Sequence, residues 1–115
     1  MKQILVFRDD LRLSTGKKIV QGAHASIGAY IICKSKHPNW IELWEKEGQK
    51  KVAVRVPTLE EMLELYEQLK REEIPVFLVR DAGLTEVAPA TITSLGIGPV
   101  PDNRVDRHTR DLKLV

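Results

Sequence analysis

Cysteine is almost missing from this chain: Cys33 stands alone, so no internal disulfide can form and no thiolate cluster can hold zinc. The three histidines, His24, His37 and His108, sit at no metal-ligand spacing, and no metal site is expected. Long apolar runs are missing too. No uncharged stretch is longer than Ile19 to Cys33, which is interrupted by Gln21, His24 and Ser26 and falls short of the roughly 20 apolar residues of a membrane span. No secretory leader is legible behind Met1, and there are no internal repeats or low-complexity linkers. These absences point to a reducing, cytoplasmic setting and to a fold stabilised by packing alone.

What is present fits one globular domain spanning residues 1–115, with 43% hydrophobic and 30% charged residues. The net charge is only +2, but it is unevenly spread. Residues 1–33 carry five basic and two acidic groups and residues 34–56 carry six basic and three acidic, whereas residues 57–75 carry two basic and six acidic. A basic first half followed by an acidic helix suits a positive face for a polyanion, and a mixed solvated surface explains it equally. The isoelectric point near 8.8 is milder than that of a dedicated nucleic-acid domain.

The run Ile4-Leu5-Val6-Phe7 reads as a strand buried on both faces. From Gly16 to about Lys36 no proline intervenes, and Val20, Ala23, Ile27 and Tyr30 recur at helical spacing as the expected packing stripe, while small Gly22, Ala25, Gly28 and Ala29 would let the helix sit close to a neighbour. Trp40 and Trp44 form an i, i+4 pair on a short helix that ends at Gly48, and they read as a packed ridge rather than a stacking platform for bases. Val52 to Val56 alternates as a second strand, and Thr58 with Glu61 makes a capping box for a helix carrying Leu59, Met62, Leu65, Tyr66 and Leu69. Val76 to Val79 and Thr91 to Ile97 are the third and fourth strands, and Asp102 is placed to cap a short helix before a Leu112-Lys113-Leu114 tail. The order implies an α/β fold with right-handed crossovers and helices on both faces of one sheet.

Two familiar motifs are imitated without being met. Gly96-Ile97-Gly98-Pro99 lacks the third glycine and the helix opening of a dinucleotide loop, and Ser14-Thr15-Gly16-Lys17 lacks the partner motifs of a serine acyl-enzyme. Cys33 reads as a small core residue.

One local conflict stands out. Lys17 and Lys18 fall in the first turn of the long helix, where the helix dipole disfavours cations by roughly 0.3–1 kcal/mol. Two ammonium groups beside exposed backbone N–H groups would make an anion site for a phosphate or a developing oxyanion. On the helix wheel Lys17, Gln21, His24 and Gly28 lie within roughly 60° of one another, so a polar face with a glycine gap runs beside the apolar stripe. A solvated face with a structural histidine fits the same spacing. Asp81 follows an apolar strand, where ligands of open α/β sheets bind, yet an aspartate before glycine also reads as a turn former. Thr85 is equally open, while Asp9 and Asp10 can either orient Lys17 or pair on the surface.

These residues together resemble the type II peptidyl-tRNA hydrolases of archaea and eukaryotes. The resemblance runs through Gln3-Ile4-Leu5-Val6 with Asp10-Leu11, Gly16-Lys17 with Gln21 and His24-Ala25, and Gly48-Gln49-Lys50-Lys51-Val52. It continues through Asp81-Ala82-Gly83-Leu84-Thr85-Glu86, Gly96-Ile97-Gly98-Pro99, Asp106 with Thr109, and the terminal Leu112-Lys113-Leu114. The order and spacing of the pieces make the match specific. It implies a three-layer α/β/α fold with a mixed four-stranded sheet, no metal or other cofactor, frequent homodimers, and hydrolysis of the ester joining a peptide to the 3′ end of tRNA. It also implies Lys17, Gln21, His24, Asp81 and Thr85 as active-site residues with Asp10 nearby. The basic first half offers Arg12, Lys18, Lys50 and Lys51 as phosphate contacts. The chain departs from the family pattern at Lys18, where an apolar residue is usual, at Arg12, Thr15 and Arg107, where lysines are usual, and at Ala90 and Arg110, where glycines are usual. A noncatalytic RNA-binding module or a small amidase acting on free peptides would be the competing functions.

Overall fold

A computed structural model describes every residue except 84–86 and 89. In chain order the elements are β1 (Lys2–Arg8), α1 (Thr15–Lys36), α2 (Pro38–Lys46), β2 (Lys51–Val56), α3 (Leu59–Arg71), β3 (Val76–Arg80), β4 (Ile92–Val100), α4 (Asp102–Thr109) and β5 (Lys113–Leu114). They build one mixed sheet in the order β3-β4-β1-β2-β5. β1 runs parallel to β2 and antiparallel to β4, while β3 pairs antiparallel with β4.

The strand count differs from the expected four. Lys113 pairs with Arg55 and Leu114 with Val54, so the terminal segment is a fifth, antiparallel strand that covers the free edge of β2. Two residues are too few to show an alternating pattern, which is why the sequence reads them as a tail.

Side-chain alternation along β1 divides its contacts. Ile4 and Val6 join Met62, Leu65 and Leu69 of α3 in the main apolar core, whereas the Leu5 and Phe7 side chains approach Gly22 of α1. The Thr58 hydroxyl accepts the Glu61 backbone N–H at 3.2 Å, so the expected cap starts α3. Asp102 does not cap α4: Pro101 occupies that position, and the Asp102 carboxylate lies 3.2 Å from the Met1 amine instead. Trp44 is buried and donates its indole N–H to the Lys50 carbonyl at 2.9 Å, in keeping with a packed role. Trp40 stacks on His37 with ring centres 3.7 Å apart. Cys33 is fully buried, and desolvation pushes its thiol up to about 11.

The packing face of α1 is the reverse of the one expected. Its buried residues are Gln21, Gly22, Ala25, Gly28, Ala29 and Cys33, while Val20 is 49% and Ile27 53% exposed. The reason is distance. A Cβ at Gly96 of β4 would stand 2.1 Å from the Ala25 carbonyl oxygen, and one at Gly28 would stand 2.2 Å from the Phe77 ring. Only a helix face of small residues can lie that close to the sheet, so the bulky aliphatic residues are turned outward.

Near the end of β3, Ala90 donates its N–H to the Asp81 carbonyl at 2.7 Å and holds φ at 64°, a left-handed conformation that favours glycine. Gly96→Ala is expected to destabilise the protein by about 1–3 kcal/mol through overpacking. Ala90→Gly should stabilise it by about 1 kcal/mol through relief of backbone strain. Urea unfolding checks both, and a Gly96→Ala variant within about 0.5 kcal/mol of the parent contradicts the close packing.

Candidate active site

The start of α1 places the first functional side chain. The Ser14 hydroxyl accepts the Lys17 N–H at 3.1 Å and the Ser14 carbonyl accepts the Lys18 N–H at 3.0 Å, fixing the first turn. That turn contains no acidic residue. The missing anion comes from the far end of β3, because the Lys17 ammonium forms an ion pair with Asp81 Oδ2. The Lys17 side chain is 10% exposed and that of Asp81 only 3%, so water screens the pair weakly. A cation unfavourable for the isolated helix is therefore neutralised across the fold.

Asp81 is clamped from several sides. Its backbone N–H donates to the Thr91 carbonyl at 2.8 Å, and its Oδ1 accepts the Gly83 N–H at 2.6 Å. The turn-forming reading of Asp81 holds, since its carboxylate makes an Asx-type turn, and the same carboxylate also faces Lys17. Gln21 Nε2 donates to Asp81 Oδ2 at 3.4 Å, and Gln21 Oε1 accepts the Thr93 hydroxyl at 2.5 Å. The amide is thus oriented by a hydroxyl donor on one side and a carboxylate acceptor on the other. The Ser94 hydroxyl adds a 3.1 Å bond to the Gln21 carbonyl.

Thr93 is the residue that sequence reasoning missed. In the β3–β4 ladder Val79 pairs with Ser94 but Arg80 pairs with Ile92, so β4 carries one extra residue at Thr93. A bulge of this kind re-aims a side chain, and here adjacent Thr93 and Ser94 both reach Gln21. No periodicity in the sequence signals it. Arg80, exposed at the end of β3, is a second residue not singled out, although its place before Asp81 at a strand end was a usable signal.

Lys17, Gln21, His24 and Asp81 line one groove of about 650 Å³ between α1 and β3, together with Arg80, Ile27, Gly28, Ile31 and Phe77. His24 is exposed at the rim, one turn beyond Gln21, and forms no hydrogen bond with another described residue. Thr85 lies outside the described residues. Four of the five expected active-site residues therefore meet, with one buried salt bridge at the polar end of a groove whose remaining lining is largely apolar.

The other expected contacts lie elsewhere. Lys18 and Lys51 line a second cleft, of about 810 Å³, on the opposite flank of α1, so the two lysines of the first turn do not form one joint anion site. Lys51 Nζ stands 4.9 Å from the Trp44 ring centre, while Lys50 and Arg12 are exposed. Asp10 does not orient Lys17. It receives Arg8 Nε at 2.6 Å and the Leu59 N–H at 3.3 Å, and the Arg8 guanidinium holds its carboxyl below the usual range. Asp9 pairs with Arg55 at 3.0 Å. Among the described residues no group of three His, Cys, Asp or Glu side chains lies together as a metal site.

The arrangement combines an ammonium held in low dielectric, a carboxylate that pairs with it, an amide that braces the carboxylate, and an imidazole open to the groove. It can bind an anion or stabilise a developing oxyanion, while the imidazole accepts a proton. Breaking the pair is expected to cost about 3–5 kcal/mol in Lys17→Met or Asp81→Leu alone, because each leaves a buried charge. The double variant should lose less than the sum of the two. Chemical denaturation of the four proteins checks the coupling, and a coupling energy within about 0.5 kcal/mol of zero contradicts the pair.

The family Peptidyl-tRNA hydrolase PTH2 matches residues 1–115. The peptidyl-tRNA hydrolase of Methanopyrus kandleri is 52% identical over 114 residues, covering 99% of this chain and 97% of that protein. Those of Methanothermobacter thermautotrophicus and Thermococcus onnurineus are 47% identical over 115 residues and 46% over 114, covering 100% and 99% of this chain and 100% and 97% of those proteins.

Proposed function

The chain belongs to the PTH2 family of peptidyl-tRNA hydrolases, and from that premise we propose that it cleaves the ester between a peptide and the 3′ end of tRNA in the groove between α1 and β3. The observation that carries the siting is the buried Lys17–Asp81 pair, braced by Gln21 and Thr93 beside the exposed His24.

An ammonium has three N–H donors, so Lys17 keeps Asp81 with one and offers another to the ester oxygen. Asp81 already serves Lys17, Gln21 and the Gly83 N–H, which makes it a poor water base. His24 takes that role. Water adds to the carbonyl carbon as His24 accepts its proton, the carbonyl oxygen becomes an oxyanion against Lys17, and the C–O bond to the ribose breaks. The departing ribose oxygen takes the proton back from His24, leaving a free peptide acid and a tRNA hydroxyl. Gln21 acts as a positioning residue for Asp81. Thr85 enters as a substrate-positioning residue on the family resemblance alone.

Arg12, Lys18, Lys50 and Lys51 serve as phosphate contacts, with Asp10 near the loop that carries Arg12. Each phosphate neutralised on single-stranded RNA contributes about −0.7 to the slope of log affinity against log salt. A single domain over residues 1–115, layered α/β/α, completes the reading, supported by the opposite contacts of neighbouring β1 side chains with α1 and α3. A homodimer, a cytoplasmic setting and independence from metal follow the resemblance. Among the described residues no helix is long and apolar enough to cross a membrane.

The test is release of N-acetyl-amino acid from N-acetyl-aminoacyl-tRNA by EDTA-treated protein. Wild type should turn over, Lys17→Met and His24→Ala should each lose about 10²-fold or more in kcat, and tRNA affinity should fall with salt. Near-parental turnover by both folded variants would sink the siting. Salt-sensitive tRNA binding without any release would favour a binding module.

A further inference from the structure

The groove changes character along its length. Its polar end holds Lys17, Gln21, Asp81 and His24, and beyond His24 the walls are Ile27, Ile31 and Phe77. Ile27 is 53% and Ile31 61% exposed, although each carries a large aliphatic surface that water disfavours. The floor is set by a missing atom. A Cβ on Gly28 would stand 2.2 Å from Phe77 Cδ2, so glycine lets the half-buried ring slide under the helix, where it lines the groove.

Ile27 and Ile31 follow His24 by three and seven residues, which places them about 5 and 10 Å farther along the helix axis. An extended peptide advances about 3.3 Å per residue. Counted from His24, the apolar stretch therefore spans two to three acyl residues, while the Lys17 ammonium shares Asp81 Oδ2 with the Gln21 amide, one helical turn before His24.

We propose that this apolar end, formed by Ile27, Gly28, Ile31 and Phe77, is the subsite for the peptide, and that it favours apolar side chains on the residue esterified to tRNA. The inference rests on the hydrolase reading above, and adds the direction in which the substrate lies. Two features support the acyl chain as occupant: the apolar surface is continuous with the proposed reaction centre, and at the other end Arg80 leaves a net positive charge beside the neutralised Lys17–Asp81 pair, which suits the polyanionic half of the same molecule. The ribose and phosphates then leave past Arg80, on the polar side.

One tRNA body carrying N-acetyl-leucine, N-acetyl-glycine or N-acetyl-aspartate provides the test, read as kcat/KM. Wild type should favour leucine over glycine by about tenfold or more, the scale of discrimination an apolar pocket achieves. Because Ile27 is exposed and is the apolar wall residue nearest His24, Ile27→Lys should fold. Its added ammonium should raise the aspartate-to-leucine ratio by about tenfold, whereas a merely structural effect would lower all three substrates together. Equal use of the three by wild type, or an unchanged ratio in Ile27→Lys, overturns the subsite while leaving the hydrolase reading intact. No release from any of the three by wild type would instead overturn the hydrolase reading and the subsite with it.

Discussion

Helix α1 approaches the sheet so closely that a single methyl group at Gly96 or Gly28 would collide with it, and much of the structure follows from that constraint. The helix must present Gly22, Ala25, Gly28 and Ala29 to the strands, which rotates Ile19, Val20, Ile27 and Ile31 away. The same rotation carries Gln21 into the interior, where its amide needs partners on both sides. Thr93 and Asp81 supply them, and Asp81 in turn takes Lys17. Packing of small residues thereby dictates where the charged chemistry sits.

The polar chain Thr93–Gln21–Asp81–Lys17 also explains how the protein tolerates a lysine at the positive end of a helix. A carboxylate from a strand end neutralises it in a site nearly closed to water, and the ammonium has N–H donors beyond the one that Asp81 takes. The bulge at Thr93 is the backbone irregularity that makes this possible, because an ideal strand would point Thr93 and Ser94 to opposite faces. His24 lines the same groove from its rim, on the next turn of the same helix.

Much of this is legible in the sequence. Thr58 marks its helix start through local hydrogen bonding, and strand alternation locates β2. The shared helix face of Lys17, Gln21 and His24 follows from 3.6 residues per turn. The small residues Gly22, Ala25, Gly28 and Ala29 signal a close approach of α1, but that their face packs in place of the aliphatic stripe depends on Gly96 and Phe77, far away in sequence. An aliphatic stripe normally marks the buried side, and here the available distance overrides it. The fifth strand escaped because two residues carry no period, and Thr93 because a bulge leaves no compositional trace. The reaction itself was read from family resemblance: the spacing of Lys17, Gln21 and His24 reaches only as far as an anion site.

In the proposed reaction the buried chain positions the Lys17 ammonium for an ester oxyanion. Thr93→Val removes the hydroxyl that orients Gln21 while keeping the volume, and Thr93→Ser retains it. With N-acetyl-aminoacyl-tRNA, kcat of Thr93→Val should fall about tenfold, as loss of one hydrogen bond implies, with KM within about twofold and with Thr93→Ser restoring turnover. An unchanged kcat in folded Thr93→Val, or equal impairment of the serine and valine variants, would contradict the account.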